Sequence, residues 1–201
     1  MTVYILRHAD KEQRDFFNPQ LNHQDQPISP KGRSDAQKLC SFFYGKQISA
    51  IYVSAYQRTR QTIEYVARQS NITPIVDNRL NEIDNGRFDG LTDQEIQHSF
   101  PDIWNAFIER KSDFRFPNGE TGEEAQRRIV DMLETTYLQH NDDNVILVSH
   151  EGLIRILMCH ITGIPVYKRW NFHVDTCGVM EISYQPEYKA WKLYRFNQTC
   201  T

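Results

Sequence analysis

The sequence is poor in the features that assign a chain to a special class. It has four cysteines, Cys40, Cys159, Cys177 and Cys200, with no C-x-x-C pair and no short regular spacing. The simplest reading is four reduced thiols in a cytoplasmic protein, with a Cys177–Cys200 bridge left open. No apolar run approaches the ~20 residues of a membrane span. The first strand is expected to start at Val3, so a signal peptide is not expected. Charge of one sign is also lacking: 23 Lys and Arg stand against 26 Asp and Glu, a net charge of −3. Without a basic field, nucleic acid is not an expected partner, and nothing points to a membrane. Repeats, low-complexity tracts and linkers are missing too, so one domain is expected over the 201 residues.

Several catalytic signatures are absent as well. There is no G-x-x-x-x-G-K-S/T loop for a P-loop nucleotidase. No cysteine is followed six positions later by arginine, and no D-x-D pair offers an aspartyl nucleophile with magnesium. His150-Glu151 begins like the zinc motif H-E-x-x-H, but position 154 is Ile154. The G-x-S-x-G elbow of serine hydrolases is missing. No bound metal or cofactor is expected.

What is present alternates. Val3–Leu6, Ala50–Val53, Thr73–Val76 and Val145–Val148 are short apolar, β-branched runs that read as buried strands. Gly178–Tyr184 and Ala190–Phe196 read as a final strand pair, and residues 10–27 as a loop. Ser29-Pro30 opens a helix running to about Gly45, and Arg58–Ser70 and Leu153–Thr162 are further helices. Thr92…Glu95 and Thr121…Glu124 are capping-box patterns, which predict helices near 93–99 and 122–139. Strands alternating with helices predict an α/β fold, a three-layer sandwich with a mostly parallel central sheet and helices on both faces.

Chemistry-bearing residues follow the strands. Arg7-His8 ends the first, Arg58 lies just past the second, and His150 ends the fourth. Open α/β sheets bind ligands at the carboxyl ends of their strands. Two arginines and two histidines there would suit a dianion, since the guanidinium fork gives paired, charge-assisted hydrogen bonds to phosphate. His150 also precedes a helix, whose free amides favour an anion. Singly, each could be a solvated charge or a structural histidine. Four at equivalent strand ends form a constellation.

Leu6-Arg7-His8-Ala9 resembles the Arg-His-Gly signature of the histidine phosphatase, or phosphoglycerate mutase-like, superfamily. The family's other motifs follow in order: Pro27-Ile28-Ser29…Gly32, Ser54…Arg58-Thr59…Gln61-Thr62, Leu80-Asn81-Glu82-Ile83…Gly86…Gly90, Pro117-Asn118-Gly119-Glu120-Thr121…Arg128, and Ser149-His150-Glu151-Gly152. The size and the short stretch from Gly90 to Pro117 are most similar to small bacterial phosphatases such as α-ribazole phosphatase and broad-specificity phosphomonoesterases.

The resemblance implies a metal-independent phosphomonoesterase acting on a small phosphorylated metabolite. His8 would form a phosphohistidine. Arg7, Arg58 and His150 would hold the phosphoryl oxygens. Glu82 would protonate the leaving oxygen and then activate water. The family's phosphate-contacting Asn falls on Arg14, so Arg14, Asn18 or Asn22 would take its place, or the loop is arranged differently. Glu151 replaces a family Gly and is a candidate substrate residue. The simpler expectation is that its side chain faces solvent while its backbone amide serves the phosphate.

Residues 91–118 are expected to cover the pocket. Ile103, Trp104, Phe107 and Ile108 have helical spacing and are expected mostly in the core. Arg110, Lys111 and Arg115 form a basic cluster near the expected mouth. Two other readings stay open: a mutase, and a non-catalytic module that binds a phosphorylated ligand. Monomer and homodimer are both compatible with the sequence.

Overall fold

The computed structural model describes residues 1–21, 23–140 and 142–200. Among these, the strands are β1 (Thr2–Arg7), β2 (Phe17–Asn18), β3 (His23–Gln24), β4 (Ile48–Val53), β5 (Ile75–Val76), β6 (Asn144–Ser149), β7 (Val179–Gln185) and β8 (Ala190–Gln198). The α-helices are α1 (Pro30–Phe43), α2 (Gln57–Ser70), α3 (Asp93–Ser99), α4 (Pro101–Glu109), α5 (Gly122–Gln139) and α6 (Glu151–Thr162). Six strands form one sheet in the order β5-β4-β6-β1-β7-β8. The pairs β5·β4, β4·β6 and β6·β1 are parallel, and β1·β7 and β7·β8 are antiparallel. The mostly parallel sheet expected from the sequence is present.

The run VYIL of β1 and the run VILV of β6 are buried throughout, as parallel strands covered on both faces must be. Their side chains alternate between two cores. Val3, Ile5, Val145 and Leu147 meet Ile129 and Leu133 of α5 and Leu153 and Leu157 of α6. Tyr4, Leu6, Ile146 and Val148 meet Leu39 and Phe43 of α1 and Ile63 and Val66 of α2. Helices therefore cover both faces. Truncating a fully buried residue such as Leu6 to Ala would cost about 2–5 kcal/mol.

Local signals act as read. Ser29 caps α1 by accepting from the Gly32 amide, with Pro30 at the first position. The boxes Thr92/Glu95 and Thr121/Glu124 are both complete. The expected strand at Thr73–Val76 shortens to Ile75–Val76, because Pro74 has no amide to donate. Residues 10–27 are not wholly irregular: β2 and β3 pair in a small antiparallel ribbon. All four cysteines are free thiols. Among the described residues no helix is long and apolar enough to cross a membrane.

Register builds the functional edge. Arg7 is opposite Ser149 across β1·β6, and Val53 is opposite Val148 across β4·β6. Since these strands are parallel, His8, Ser54 and His150 leave the sheet side by side.

Candidate active site

His8 follows β1 directly, and its amide donates to the Ser149 carbonyl at 2.9 Å. Its Nδ1 lies 2.8 Å from the Ala9 carbonyl oxygen. A carbonyl can only accept, so Nδ1 carries the proton and Nε2 keeps its lone pair. Ala9 is held in turn, its amide donating to Thr62 Oγ1 at 2.8 Å. His8 is 6% exposed. Burial, then the charges of Arg58, Arg7 and Lys11, push its pKa from 6.5 down to about 3 against the opposing Ala9 hydrogen bond. The imidazole is neutral at neutral pH and presents a free nitrogen.

His150 has the opposite tautomer. Arg58 Nη2 donates to its Nδ1 at 3.2 Å, and a guanidinium cannot accept. The proton is therefore on Nε2, which donates to Ser54 Oγ at 2.8 Å. Ser54 contacts Thr59 Oγ1 at 3.0 Å, and Thr59 donates to the Tyr56 carbonyl at 2.8 Å. This polar chain ends in a carbonyl and leaves no loose proton. Burial first, and Arg58 second, hold the His150 pKa well below 6.5. His150 is fully buried and lies behind the cavity wall, its ring centre 5.1 Å from that of His8. The family resemblance implies that His150 touches phosphoryl oxygens; it is not among the residues on the cavity wall, and its Nδ1 faces Arg58, which is.

A cavity of about 320 Å³ opens over these groups. Arg7, His8, Lys11, Arg58, Glu82 and Glu151 are on its walls, with Tyr56 and Gln24 beside Arg58. Arg58 stands in the first turn of α2, with Nη1 3.4 Å from the Gln24 carbonyl and 3.9 Å from Asp25, and its guanidinium 4.2 Å from the Tyr56 ring centre. Arg7 Nη1 donates to the Val174 carbonyl at 2.5 Å and pairs with Glu151 at 3.0 Å. Lys11 Nζ donates to Gln26 at 3.1 Å, and burial, followed by Arg58, lowers its pKa.

Glu82 approaches from the other side. Its Oε1 accepts from the amides of Ile83 at 2.9 Å and Leu153 at 3.0 Å, and Oε2 accepts from Gly152 at 3.2 Å. The N-terminus of α6 thus holds an anion of the protein itself through the Gly152 and Leu153 amides; the Glu151 amide, the one expected to serve phosphate, is not among them. Gly152 leaves room for it: a Cβ there would come within 2.7 Å of Glu82 Oε1.

Three site expectations change. Arg14 does not line the cavity; its side chain is 77% exposed and lies 3.8 Å from Glu12. Asp10, Lys11 and Gln13 line the cavity instead. Asn18 also points elsewhere, donating to Asp25 at 3.2 Å and accepting from the Gln20 amide at 3.0 Å. Asn22 lies outside the described residues. Glu151 is on the cavity wall rather than turned to solvent, because Arg7 and Arg155 both pair with it. The i,i+4 spacing of Glu151 and Arg155 is the signal available for Glu151.

A second cavity of about 220 Å³ adjoins the first and shares Glu82, Ile83, Asn85 and Glu151 with it. Its far walls are Phe107, Phe116 and Trp170, with Arg155 and Arg169. Phe107 and Trp170 meet edge to face, ring centres 5.5 Å apart. The basic cluster expected at the mouth is dispersed. Arg110 lies over Trp170, Lys111 is 3.4 Å from Glu109, and Arg115 pairs with Glu124. Ile103 and Trp104 pack on the core as expected, but Ile108 is exposed. Among the described residues no group of three His, Cys, Asp or Glu could hold a metal ion.

The sequence model of the histidine phosphatase superfamily (branch 1) matches residues 3–199. A putative phosphoserine phosphatase 2 of Hydrogenobacter thermophilus is 28% identical over 200 residues, 98% of this chain and 96% of that protein. A probable phosphoglycerate mutase GpmB of Enterobacter sp. is 27% identical over 194 residues, 92% of this chain and 86% of that one. The crystal structure of a putative alpha-ribazole-5'-P phosphatase from Escherichia coli superposes with a TM-score of 0.82 at 19% identity, covering 98% of this chain and 96% of the other.

Proposed function

The chain belongs to the histidine phosphatase superfamily, and we propose that it hydrolyses small phosphomonoesters in two steps through a phosphohistidine on His8. The observation that carries this reading is the free Nε2 of a neutral, buried His8 on a cavity wall shared with Arg7, Arg58 and Glu82. In the first step the Nε2 lone pair attacks phosphorus and the bond to the alcohol oxygen breaks. Glu82 passes a proton to that oxygen as the general acid. In the second step water attacks phosphorus, Glu82 takes a proton from it, and the P–N electrons return to Nε2. Arg7, Arg58 and Lys11 balance the phosphoryl charge, with Arg58 oriented by His150. The arginines supply positive charge at the site, and the reaction is proposed to proceed without a metal.

The adjoining aromatic chamber fits the alcohol portion of the ester. Its arginines are engaged: Arg155 pairs with Glu151, and Arg169 lies 3.4 Å from Asp113. Further out, Arg115 and Arg128 pair with Glu124 and Glu120. Among the described residues both arginines of the chamber already have a carboxylate beside them, although Arg155 Nε and Arg169 Nη2 lack a hydrogen-bond partner, which favours compact or apolar alcohols over phosphoglycerates. Phosphoserine is a specific candidate, since a relative carries that activity in its name and the Glu151–Arg155 pair could meet an ammonium and a carboxylate. The mutase reading rests on the other relative's name.

The test is inorganic phosphate release from p-nitrophenyl phosphate, naphthyl phosphate, phosphoserine and 3-phosphoglycerate. Hydrolysis of the first three above the last is expected. Isomerisation of phosphoglycerate with negligible phosphate release, or no release from any ester, would contradict the reading.

A further inference from the structure

Arg128 and Glu120 belong to the Pro117…Arg128 motif, yet neither lines the cavity that holds His8. We propose that they are positioning residues for Glu82, holding the backbone on both sides of it so that its carboxyl meets the leaving oxygen. This rests on Glu82 being the general acid.

Asn81–Asn85 form neither helix nor strand, so their buried backbone groups have no regular partners. The Arg128 guanidinium, projecting from α5, supplies them. Nη1 donates to the carbonyls of Arg79 at 2.7 Å and Asn81 at 2.8 Å. Nη2 donates to the Glu82 carbonyl at 3.1 Å and to Glu120 Oε1 at 2.6 Å, and Nε donates to Glu120 Oε2 at 3.1 Å. An arginine has five N–H donors, and this one uses all five. Glu120 continues the clamp: its Oε1 accepts from the Asp84 amide at 2.9 Å, and its own amide donates to the Asp84 carbonyl at 3.0 Å.

The loop is thus held on either side of Glu82 by one ion pair, while the Glu82 carboxylate rests on the α6 amides. The planar five-donor fork explains why an arginine is needed. Lysine has three donors on one atom and could not reach three carbonyls and a bidentate carboxylate together. The same loop contacts the rest of the site. Ser149 Oγ donates to the Leu80 carbonyl at 2.8 Å, and Asn81 Oδ1 accepts from the Ala55 amide at 2.9 Å.

The test compares kcat/KM for ethyl phosphate, whose leaving group needs a proton, with p-nitrophenyl phosphate, whose leaving group does not. Arg128→Lys is expected to lose about tenfold or more on ethyl phosphate and less than about threefold on p-nitrophenyl phosphate. In a Glu82→Gln background, Arg128→Lys should add less than about twofold on ethyl phosphate, because the group it positions is already disabled. Glu120→Gln keeps an oxygen towards Arg128 and should show the same split more weakly, which serves if Arg128→Lys does not fold. Equal losses on both esters, or a loss that persists in the Glu82→Gln background, would make the pair a structural ion bridge and overturn the proposal. If Glu82→Gln itself shows no split while wild-type turnover is intact, the general-acid assignment fails and the proposal with it. Absence of wild-type turnover on both esters would instead strike the phosphatase reading.

Discussion

Arg58 Nη2 donates to Nδ1 of His150 across 3.2 Å, in a region where both side chains are almost fully buried. That contact fixes the His150 tautomer, and burial together with the arginine's charge keeps the imidazole from taking a proton, while His8 opposite is held neutral by burial and the same arginine.

Stability should therefore fall on acidification. Unfolded, each histidine takes up a proton near its ordinary pKa of 6.5; folded, His8 resists until about pH 3, and His150 is lowered in the same direction. The unfolded state binds more protons in that window, so folded stability is complete above about pH 6.5 and declines towards pH 3. Each histidine contributes a slope of about 1.4 kcal/mol per pH unit at most. Urea unfolding between pH 7.5 and 5 should show the decline, and His8→Gln should make it shallower. An unchanged slope in the variant would mean that His8 is not held neutral.

Glu82→Gln should depend on the leaving group. A general acid matters most when the departing alkoxide is unstable, so ethyl phosphate turnover should drop about a hundredfold or more, and p-nitrophenyl phosphate far less. Equal losses would reduce Glu82 to a cap on α6.

Gly152→Ala should act on the same carboxylate. The new methyl would lie 2.7 Å from Glu82 Oε1, so the carboxylate must move or α6 must shift. Ethyl phosphate turnover should fall by about tenfold or more, since an ångström of displacement is costly in catalysis. Wild-type rates on both esters would show that the approach is not needed.

Activity should survive EDTA. The cavity has Arg7, Lys11 and Arg58 as cations, and its acids include Glu151, which is paired with two arginines. Loss of turnover restored by zinc or magnesium would require a metal.

The fold was largely legible because the buried strands are continuous apolar runs and the helices carry strong caps at Ser29, Thr92 and Thr121. Arg7, His8, Arg58 and His150 stood out because each follows such a run. What escaped was tertiary or too short to show a period. Two-residue strands such as β2 and β3 carry no alternation. Arg14 falls where the family's phosphate-contacting Asn lies, seven residues after the motif arginine, but in this loop Lys11 and Gln13 line the cavity and Arg14 is exposed. The contact of Glu82 with α6 joins residues 70 positions apart. Nothing at Glu82 announces it, although Gly152 was a trace of it. Glu151 read alone points to solvent; its two partners, Arg7 at the end of β1 and Arg155 one turn along α6, turn it to the cavity wall.

The central claim is that His8 carries the phosphoryl group. The most direct measurement is rapid acid-free quench of the enzyme with phosphate-labelled p-nitrophenyl phosphate, followed by peptide mapping of the label. The account predicts a burst of label, acid-labile and stable in base, on the peptide containing His8, and its loss together with turnover in a folded His8→Ala variant. Label on another residue, or full turnover by His8→Ala, would contradict it.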